Sequence, residues 1–145
     1  MSVTLAHCAR LLSQARVRHH LDAADGAIRS VFVTDHYENL RGERLAIVRI
    51  DLPDGGRRCR VSLPRAFAAG ARPAAVCLRL CRMAADTPLV GIEYDADADD
   101  LRIVAEMAVG GGRPSRGQLL AMLDGVVAAA EAWHVALAVA RRGAA

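Results

Sequence analysis

Residues 89–109 read LVGIEYDADADDLRIVAEMAV, two alternations of apolar and polar residues separated by an acidic segment. In the first alternation, Val90, Ile92 and Tyr94 occupy every second position. The second alternation keeps this period through Leu101, Ile103, Ala105, Met107 and Val109. A period of two is typical of a strand that buries one face. The stretch therefore predicts a β-hairpin with an acidic turn, and one face of this hairpin needs an apolar partner.

A long helix is predicted directly after the hairpin. Gly110-Gly111-Gly112 ends the alternation, and Ser115 with Gln118 matches a capping box, in which two side chains bond each other's free backbone N–H groups. The helix is predicted over residues 115–140, and one of its faces carries the apolar residues Leu119, Met122, Leu123, Val126, Val127, Ala130, Trp133 and Leu137. Because acidic residues and a histidine interrupt the apolar sequence, we expect a core helix and no membrane span.

The segments before the hairpin complete an α+β domain. One short amphipathic helix and three strands are predicted from residue periodicity, over residues 4–14, 28–34, 45–52 and 58–63. A further helix begins at Pro73 and ends before Pro88. We predict a single domain over residues 1–145, with an antiparallel five-stranded sheet and three helices in the order α-β-β-β-α-β-β-α. The nearly continuous apolar sequence of residues 45–52 predicts a central strand that is buried on both faces.

Composition and charge do not favour a nucleic-acid partner. All 19 basic residues are arginines, 16 residues are acidic, and the net charge of +3 is small for binding a phosphate backbone. Aromatic residues, which stack on bases, make up only 3% of the chain. Residues 1–8 have neither a basic segment nor a sustained apolar run, and the four cysteines lack the spacing of a disulfide scaffold. We therefore expect a cytoplasmic protein with reduced thiols and no membrane contact.

The acidic turn has the spacing of a calcium-binding loop. Asp95, Asp97, Asp99 and Glu106 match ligand positions of the EF-hand pattern. Asp100 replaces the glycine that this pattern needs for its sharp turn, and both flanks alternate as strands where the pattern requires helices. We therefore interpret the segment as a solvated turn without calcium.

No group of residues predicts catalysis or a cofactor. Cys77 and Cys81 lie four positions apart on a predicted helix, which provides only half of a zinc site. These two thiols, like Cys8 and Cys59, fall on predicted apolar faces, where thiol reactivity is low. The glycine-rich connector precedes a helix N-terminus, but it lacks the P-loop and dinucleotide-binding patterns. We expect no catalytic residue, no metal and no cofactor.

Two surfaces remain as candidate contact sites. Arginines follow one predicted strand and its exit, at Arg57, Arg58, Arg60 and Arg65. Such a surface either faces solvent or binds an acidic protein segment or a phosphate backbone. The back of the last helix carries small residues where charges are usual, at Ala121, Gly125, Ala128 and Ala132. This pattern follows either from a high alanine content or from a second packing surface, within the chain or in a dimer.

The order of elements resembles the type III secretion chaperone-like fold, and within it the sensory-transduction-regulator-like bacterial proteins. The resemblance is strongest over residues 76–137, with a helix ending in Thr87-Pro88-Leu89, the strand VGIEYD, an acidic turn, the strand LRIVAE, a glycine-rich gap and a helix opened by Ser115. The middle helix departs from the family, since Leu80 and Cys81 stand where asparagine is common. The resemblance implies a small antiparallel sheet with helices packed on it, commonly dimeric, that binds protein segments and performs no chemistry.

We therefore expect a non-enzymatic protein-binding or chaperone-like module with a regulatory role, which forms a homodimer and binds another protein. The expected contact residues are Arg58, Arg60, Ala121, Gly125, Ala128 and Ala132. The alternative is a regulator that binds an anion or nucleic acid through the arginine-rich strand, at Arg57, Arg58, Arg60 and Arg65.

Overall fold

The computed structural model describes residues 3–110 and 112–143, so Gly111 of the predicted connector and both ends of the predicted domain lie outside the described residues. The helices are α1 (Leu5–Gln14), α2 (Pro53–Gly56), α3 (Pro73–Ala85) and α4 (Arg116–Gly143). The strands are β1 (His20–Asp22), β2 (Ala27–Val33), β3 (Leu45–Asp51), β4 (Arg58–Ala68), β5 (Gly91–Asp95) and β6 (Asp100–Ala108). They form one antiparallel sheet in the order β1-β2-β3-β4-β6-β5.

The α+β class and the antiparallel sheet are confirmed, but the predicted five strands and three helices are wrong. The described residues form six strands and four helices. Strand β1 has only three residues, too few to show a periodic pattern in the sequence. Helix α2 is a single turn between the strands that were predicted over residues 45–52 and 58–63, and Asp54 and Gly55 in it have positive φ angles of 55° and 65°. It joins the antiparallel neighbours β3 and β4.

One face of the sheet is covered by helices, and the other is not. Helices α1, α3 and α4 share one hydrophobic core with the sheet, and Ile28, Val48 and Ile50 of β2 and β3 are fully buried in it. Val31 and Ile47, on the opposite face of these strands, are 52% and 42% exposed. The predicted burial of β3 on both faces is therefore wrong, because no described helix covers its second face. We call this second surface of the sheet the open face.

Strand β4 continues past Pro64, where the sequence predicted its end. It runs over Arg58–Ala68 and pairs with β6 on both sides of a bulge that contains Arg65, whose φ angle is 54°. Proline has no N–H group for the ladder, and the bulge lets the strand bend and resume its pairing with β6. Pairing between β4 and β3, in contrast, extends only to Ser62, opposite Arg49.

Helix α4 begins with the predicted capping box. The backbone N–H of Ser115 donates to Gln118 Oε1 at 2.9 Å, and the N–H of Gln118 donates to Ser115 Oγ at 3.1 Å. The helix packs on β4 and β6 through its buried residues, Leu119, Met122, Leu123, Val126, Ala129, Ala130, Trp133 and Leu137. Its length and mean hydropathy alone would allow it to cross a membrane, a property that it shares with core helices of soluble domains.

Candidate functional site

The arginine side chains of β4 lie on the open face, beside the carboxylates of neighbouring elements. The Nη1 atom of Arg58 lies 2.6 Å from Glu106, and its Nε atom lies 2.8 Å from Asp54. Arg60 contacts Glu106 at 3.3 Å and forms a second ion pair with Glu93. The two predicted contact residues are therefore on the surface, but their positive charges are compensated within the chain.

Arg57 and Arg65 do not extend this pair into one strip. The Nε atom of Arg57 donates to the backbone oxygen of Asp54 at 3.2 Å, within the connection that α2 forms. The side chain of Arg65 is 71% exposed and lies 3.5 Å from Asp100, whose own side chain is nearly buried. Burial, together with the nearby carboxylate of Asp95, raises the pKa of Asp100. The four predicted arginines are thus divided between separate places on the surface.

The acidic turn is held by hydrogen bonds within the hairpin. Asp95 accepts a hydrogen bond from the N–H of Asp97 at 3.1 Å, and its carboxylate also pairs with an arginine of β6. Asp99 accepts a hydrogen bond from the hydroxyl of Tyr94, and this hydrogen bond raises the pKa of Tyr94. Glu106, the fourth residue of the calcium pattern, faces the arginines of β4. Over residues 3–110 and 112–143, no group of three or more His, Cys, Asp or Glu side chains is placed to hold a metal.

The cysteines separate into a buried pair and a more accessible pair. Cys8 of α1 and Cys59 of β4 are fully buried, and their thiols are hydrogen-bonded to each other. This hydrogen bond lowers the pKa of Cys8, and it acts with burial to raise the pKa of Cys59. Cys77 is partly buried, and Cys81 is exposed. The predicted apolar position of Cys81 is wrong, because α3 is oriented with Leu80 as its fully buried side chain.

Three of the four predicted small residues on α4 face solvent. Ala121, Ala128 and Ala132 are exposed. Gly125, in contrast, approaches the segment before β5 so closely that a Cβ atom built on it would lie 3.2 Å from Val90 Cγ2. The predicted back of the helix is therefore divided between a contact within the chain and an exposed surface.

The exposed surface of α4 continues beyond the predicted residues. Val135 and Val139, which helical spacing places on the same side as the exposed alanines, are 42% and 58% exposed. The sequence analysis predicted only small residues on this side of the helix. It did not include Val135 and Val139, although Val135 follows Ala132 by three residues and Val139 follows Val135 by four. We call this surface the α4 outer face and define it by Ala121, Ala128, Ala132, Val135 and Val139.

A buried tyrosine connects the loop between β2 and β3 to the core. Tyr37 is 1% exposed, and its hydroxyl donates to the backbone oxygen of Ala66 at 3.1 Å. Its ring packs edge-on against Phe67 and His134, with ring centroids 6.1 and 5.7 Å away. Burial raises the pKa of Tyr37 to about 12. Tyr37 lies between the predicted strands over residues 28–34 and 45–52, and its burial was not predicted from the sequence.

The fold connects the chain to a solved structure. No protein-family model matches the sequence, and no curated protein matches it. The chain is similar to the crystal structure of YbjN from E. coli, described as a "putative transcription regulator". The two structures have a TM-score of 0.64 over 96% of this chain and 94% of the YbjN chain, at 14% sequence identity. At this identity the likeness shows a shared fold alone. The likeness supports the fold that was expected from the resemblance to sensory-transduction-regulator-like proteins. It gives no specific support to a type III secretion chaperone.

Proposed function

We propose that this chain is a non-enzymatic binding module that forms a homodimer through the α4 outer face. The observation that carries the proposal is a helix surface on which alanines and valines are exposed, with Asp124 and Arg142 at its edge. A solvent-facing helix surface normally carries charged and polar residues, and contiguous exposed apolar surfaces mark interaction sites. Small side chains allow a second helix to approach closely, and a two-fold axis would pair α4 with its copy.

The likeness to YbjN supports a regulatory role for such a module. YbjN is described as a "putative transcription regulator", and a regulator of transcription acts by binding other molecules. The resemblance to secretion chaperones implies a chaperone-like form of the same proposal, in which the module binds a segment of another protein. We propose that this chain binds a protein partner in the cytoplasm and uses no catalytic residue and no cofactor.

Size-exclusion chromatography with light scattering tests the dimer. At micromolar concentration the wild-type chain is expected to show twice the monomer mass of 15.4 kDa. The Ala128→Arg variant is expected to be a monomer, because a guanidinium group buried in an apolar interface lacks a compensating charge. Ala75→Arg, on the exposed surface of α3, is the matched control and should leave the dimer intact. A monomeric wild-type chain, or a dimer that survives Ala128→Arg, contradicts the proposal.

A second candidate is a regulator that binds an anion or nucleic acid through Arg57, Arg58, Arg60 and Arg65, and the description of YbjN favours it. The ion pairs of Arg58 and Arg60 with carboxylates oppose it, because those carboxylates repel phosphate groups. Fluorescence anisotropy with a labelled DNA duplex separates the two candidates. Salt-dependent binding that is lost in the Arg58→Ala/Arg60→Ala variant would favour this second function.

A further inference from the structure

A groove opens on the sheet where the pairing between β3 and β4 stops. The last paired residues are Arg49 and Ser62, and in this register Ile47 and Pro64 are the next two residues that would face each other on the open face. Pro64 has no N–H group to continue the ladder, and the bulge at Arg65 turns β4 away from β3. Two adjoining cavities of 140 and 430 Å³ occupy this position and share Ile47, Pro64 and Arg65 in their walls. We call them together the β3–β4 groove.

The floor of the β3–β4 groove is apolar and continues into an exposed apolar surface. Its apolar lining residues are Leu40, Leu45, Ile47, Leu63 and Pro64. In the β2–β3 ladder, Ile47 pairs with Val31 and Leu45 pairs with Val33. These two valines are 52% and 84% exposed and extend the apolar surface of the groove across the open face. An apolar surface of this kind marks an interaction site.

The rim of the groove is positively charged. Four arginines line the groove, namely Arg29, Arg41, Arg49 and Arg65. No aspartate or glutamate is among its lining residues. Arg29 and Arg49 share a single carboxylate, that of Asp25. The Nε atom of Arg65 lies 3.5 Å from the carboxylate of Asp100, whose side chain is nearly buried. The guanidinium of Arg41 forms no ion pair with the described residues, so the rim has more positive than negative charge.

We propose that the β3–β4 groove binds an acidic segment of a partner protein, with one large apolar side chain of the segment on the groove floor. The segment's carboxylates pair with the arginines of the rim, and guanidinium groups bind carboxylates with two parallel hydrogen bonds. A nucleic acid would satisfy the arginines but would leave the apolar floor of Leu, Ile and Pro side chains uncovered, since bases stack on aromatic rings and Tyr37, the aromatic residue in the wall, is only 1% exposed. The proposal rests on the proposed protein-binding function and uses a surface separate from the α4 outer face.

Fluorescence anisotropy with three labelled peptides tests both parts of this recognition. The probe has the sequence GEDELDEDG, one control peptide is neutral (GQNQLNQNG), and the other lacks the apolar residue (GEDEGDEDG). The wild-type chain is expected to bind the probe at least about tenfold more tightly than either control, because each control removes one of the two contacts. Raising the salt concentration from about 0.05 to 0.5 M should weaken binding of the probe, since partly exposed ion pairs are screened.

Two groove variants and one control variant locate the binding surface. Ile47→Glu and Arg41→Glu change exposed residues. Each is expected to weaken binding of the probe by about tenfold, because the added glutamate repels the negative charges of the probe. Arg79→Glu, on the exposed surface of α3, makes the same charge change elsewhere and should leave probe binding unchanged. Thermal unfolding followed by circular dichroism shows that each variant is folded, and light scattering shows whether its mass is that of the wild-type chain.

The results separate this proposal from the dimer proposal. If the groove variants lose probe binding while their mass is unchanged, the result supports the groove as the binding site. This result does not depend on whether the α4 outer face forms a dimer. Equal binding of all three peptides, no binding of the probe, or binding that persists in both groove variants would overturn the groove proposal whatever the mass of the chain. A DNA duplex that binds the wild-type chain and displaces the probe would also overturn it, in favour of nucleic-acid recognition.

Discussion

The carboxylate of Glu131, on helix α4, accepts a hydrogen bond from the backbone N–H of Tyr37 at 2.9 Å. The same carboxylate accepts the N–H groups of Asp35 and His36 at 2.7 Å each. Three consecutive amides of the loop between β2 and β3 therefore converge on one side chain of the long helix. This arrangement satisfies backbone donors that no strand pairs and holds the loop against α4.

Replacing Glu131 by glutamine is expected to destabilise the fold. The substitution keeps the side-chain shape but removes the charge that strengthens these hydrogen bonds, at a cost of about 1 kcal/mol for a partly exposed group. Urea unfolding at neutral pH measures the change. Asp97→Asn in the acidic turn is the control, because its side chain is exposed, lies away from the α4 outer face and makes no hydrogen bond within the described residues. An equal effect of the two substitutions would show that the Glu131 bonds do not contribute.

The contribution of Glu131 is also expected to depend on pH. Burial alone would raise its pKa, but the hydrogen bonds from Asp35, Tyr37 and His36 lower the pKa below its ordinary value of 4.5. Because the folded state has the lower pKa, the stabilisation is fully present above about pH 4.5 and is lost as the pH falls through the folded value. The stability difference between wild type and Glu131→Gln should therefore shrink in acid. A difference that is constant down to low pH would contradict the lowered pKa.

Tyr37 is expected to stabilise the fold only while its hydroxyl is protonated. Its pKa is raised to about 12 by burial, from an ordinary value of 10.0. A group whose pKa is raised on folding stabilises the protein below its unfolded pKa, and this effect is lost as the pH rises towards the folded value. Stability should therefore fall between about pH 10 and 12 in the wild type and less in Tyr37→Phe. At neutral pH, Tyr37→Phe should cost about 1 kcal/mol, because it removes the hydrogen bond to Ala66.

The thiols are expected to react at clearly different rates in the folded protein. Cys81 is exposed, whereas Cys8 and Cys59 are fully buried, so a thiol reagent should label Cys81 first. Absorbance with a chromogenic disulfide reagent measures the reaction, and Cys81→Ser should remove its fast phase. In denaturant all four cysteines should react together. Fast labelling of Cys59 in the folded chain would contradict its burial.

Gly117 and Gly125 of α4 are expected to differ in their tolerance of a side chain. Gly117 has only Ser115 Oγ near its Cβ position, at 3.9 Å, whereas Gly125 meets Val90 at 3.2 Å. Gly125→Leu should therefore be less stable than Gly117→Leu by about 1–3 kcal/mol, since overpacking forces neighbouring atoms apart. Chemical denaturation compares the two variants. Equal stabilities would show that the segment around Val90 moves to accommodate the leucine with no loss of stability.

The sequence by itself determined the features that rest on residues close together in the chain. The alternation over residues 90–109 was sufficient for the β-hairpin, and Ser115 with Gln118 was sufficient for the start of α4. Both signals depend on local backbone geometry and on the period of apolar residues, which a strand or helix imposes wherever it lies. The one strand that was not predicted among the described residues is β1, which is too short to show a period of apolar residues.

Tertiary structure alone decided which surfaces are free. The charge of Arg58 is compensated by Glu106, 48 positions away in the chain, and the loop at Tyr37 is held by Glu131, 94 positions away. The exposure of Ile47 depends on helices that all pack on the opposite face, and the β3–β4 groove depends on where Pro64 meets β3. Burial and charge compensation are properties of neighbours in space. A pattern along one segment cannot specify them, because the same strand or helix is compatible with a covered or an open face.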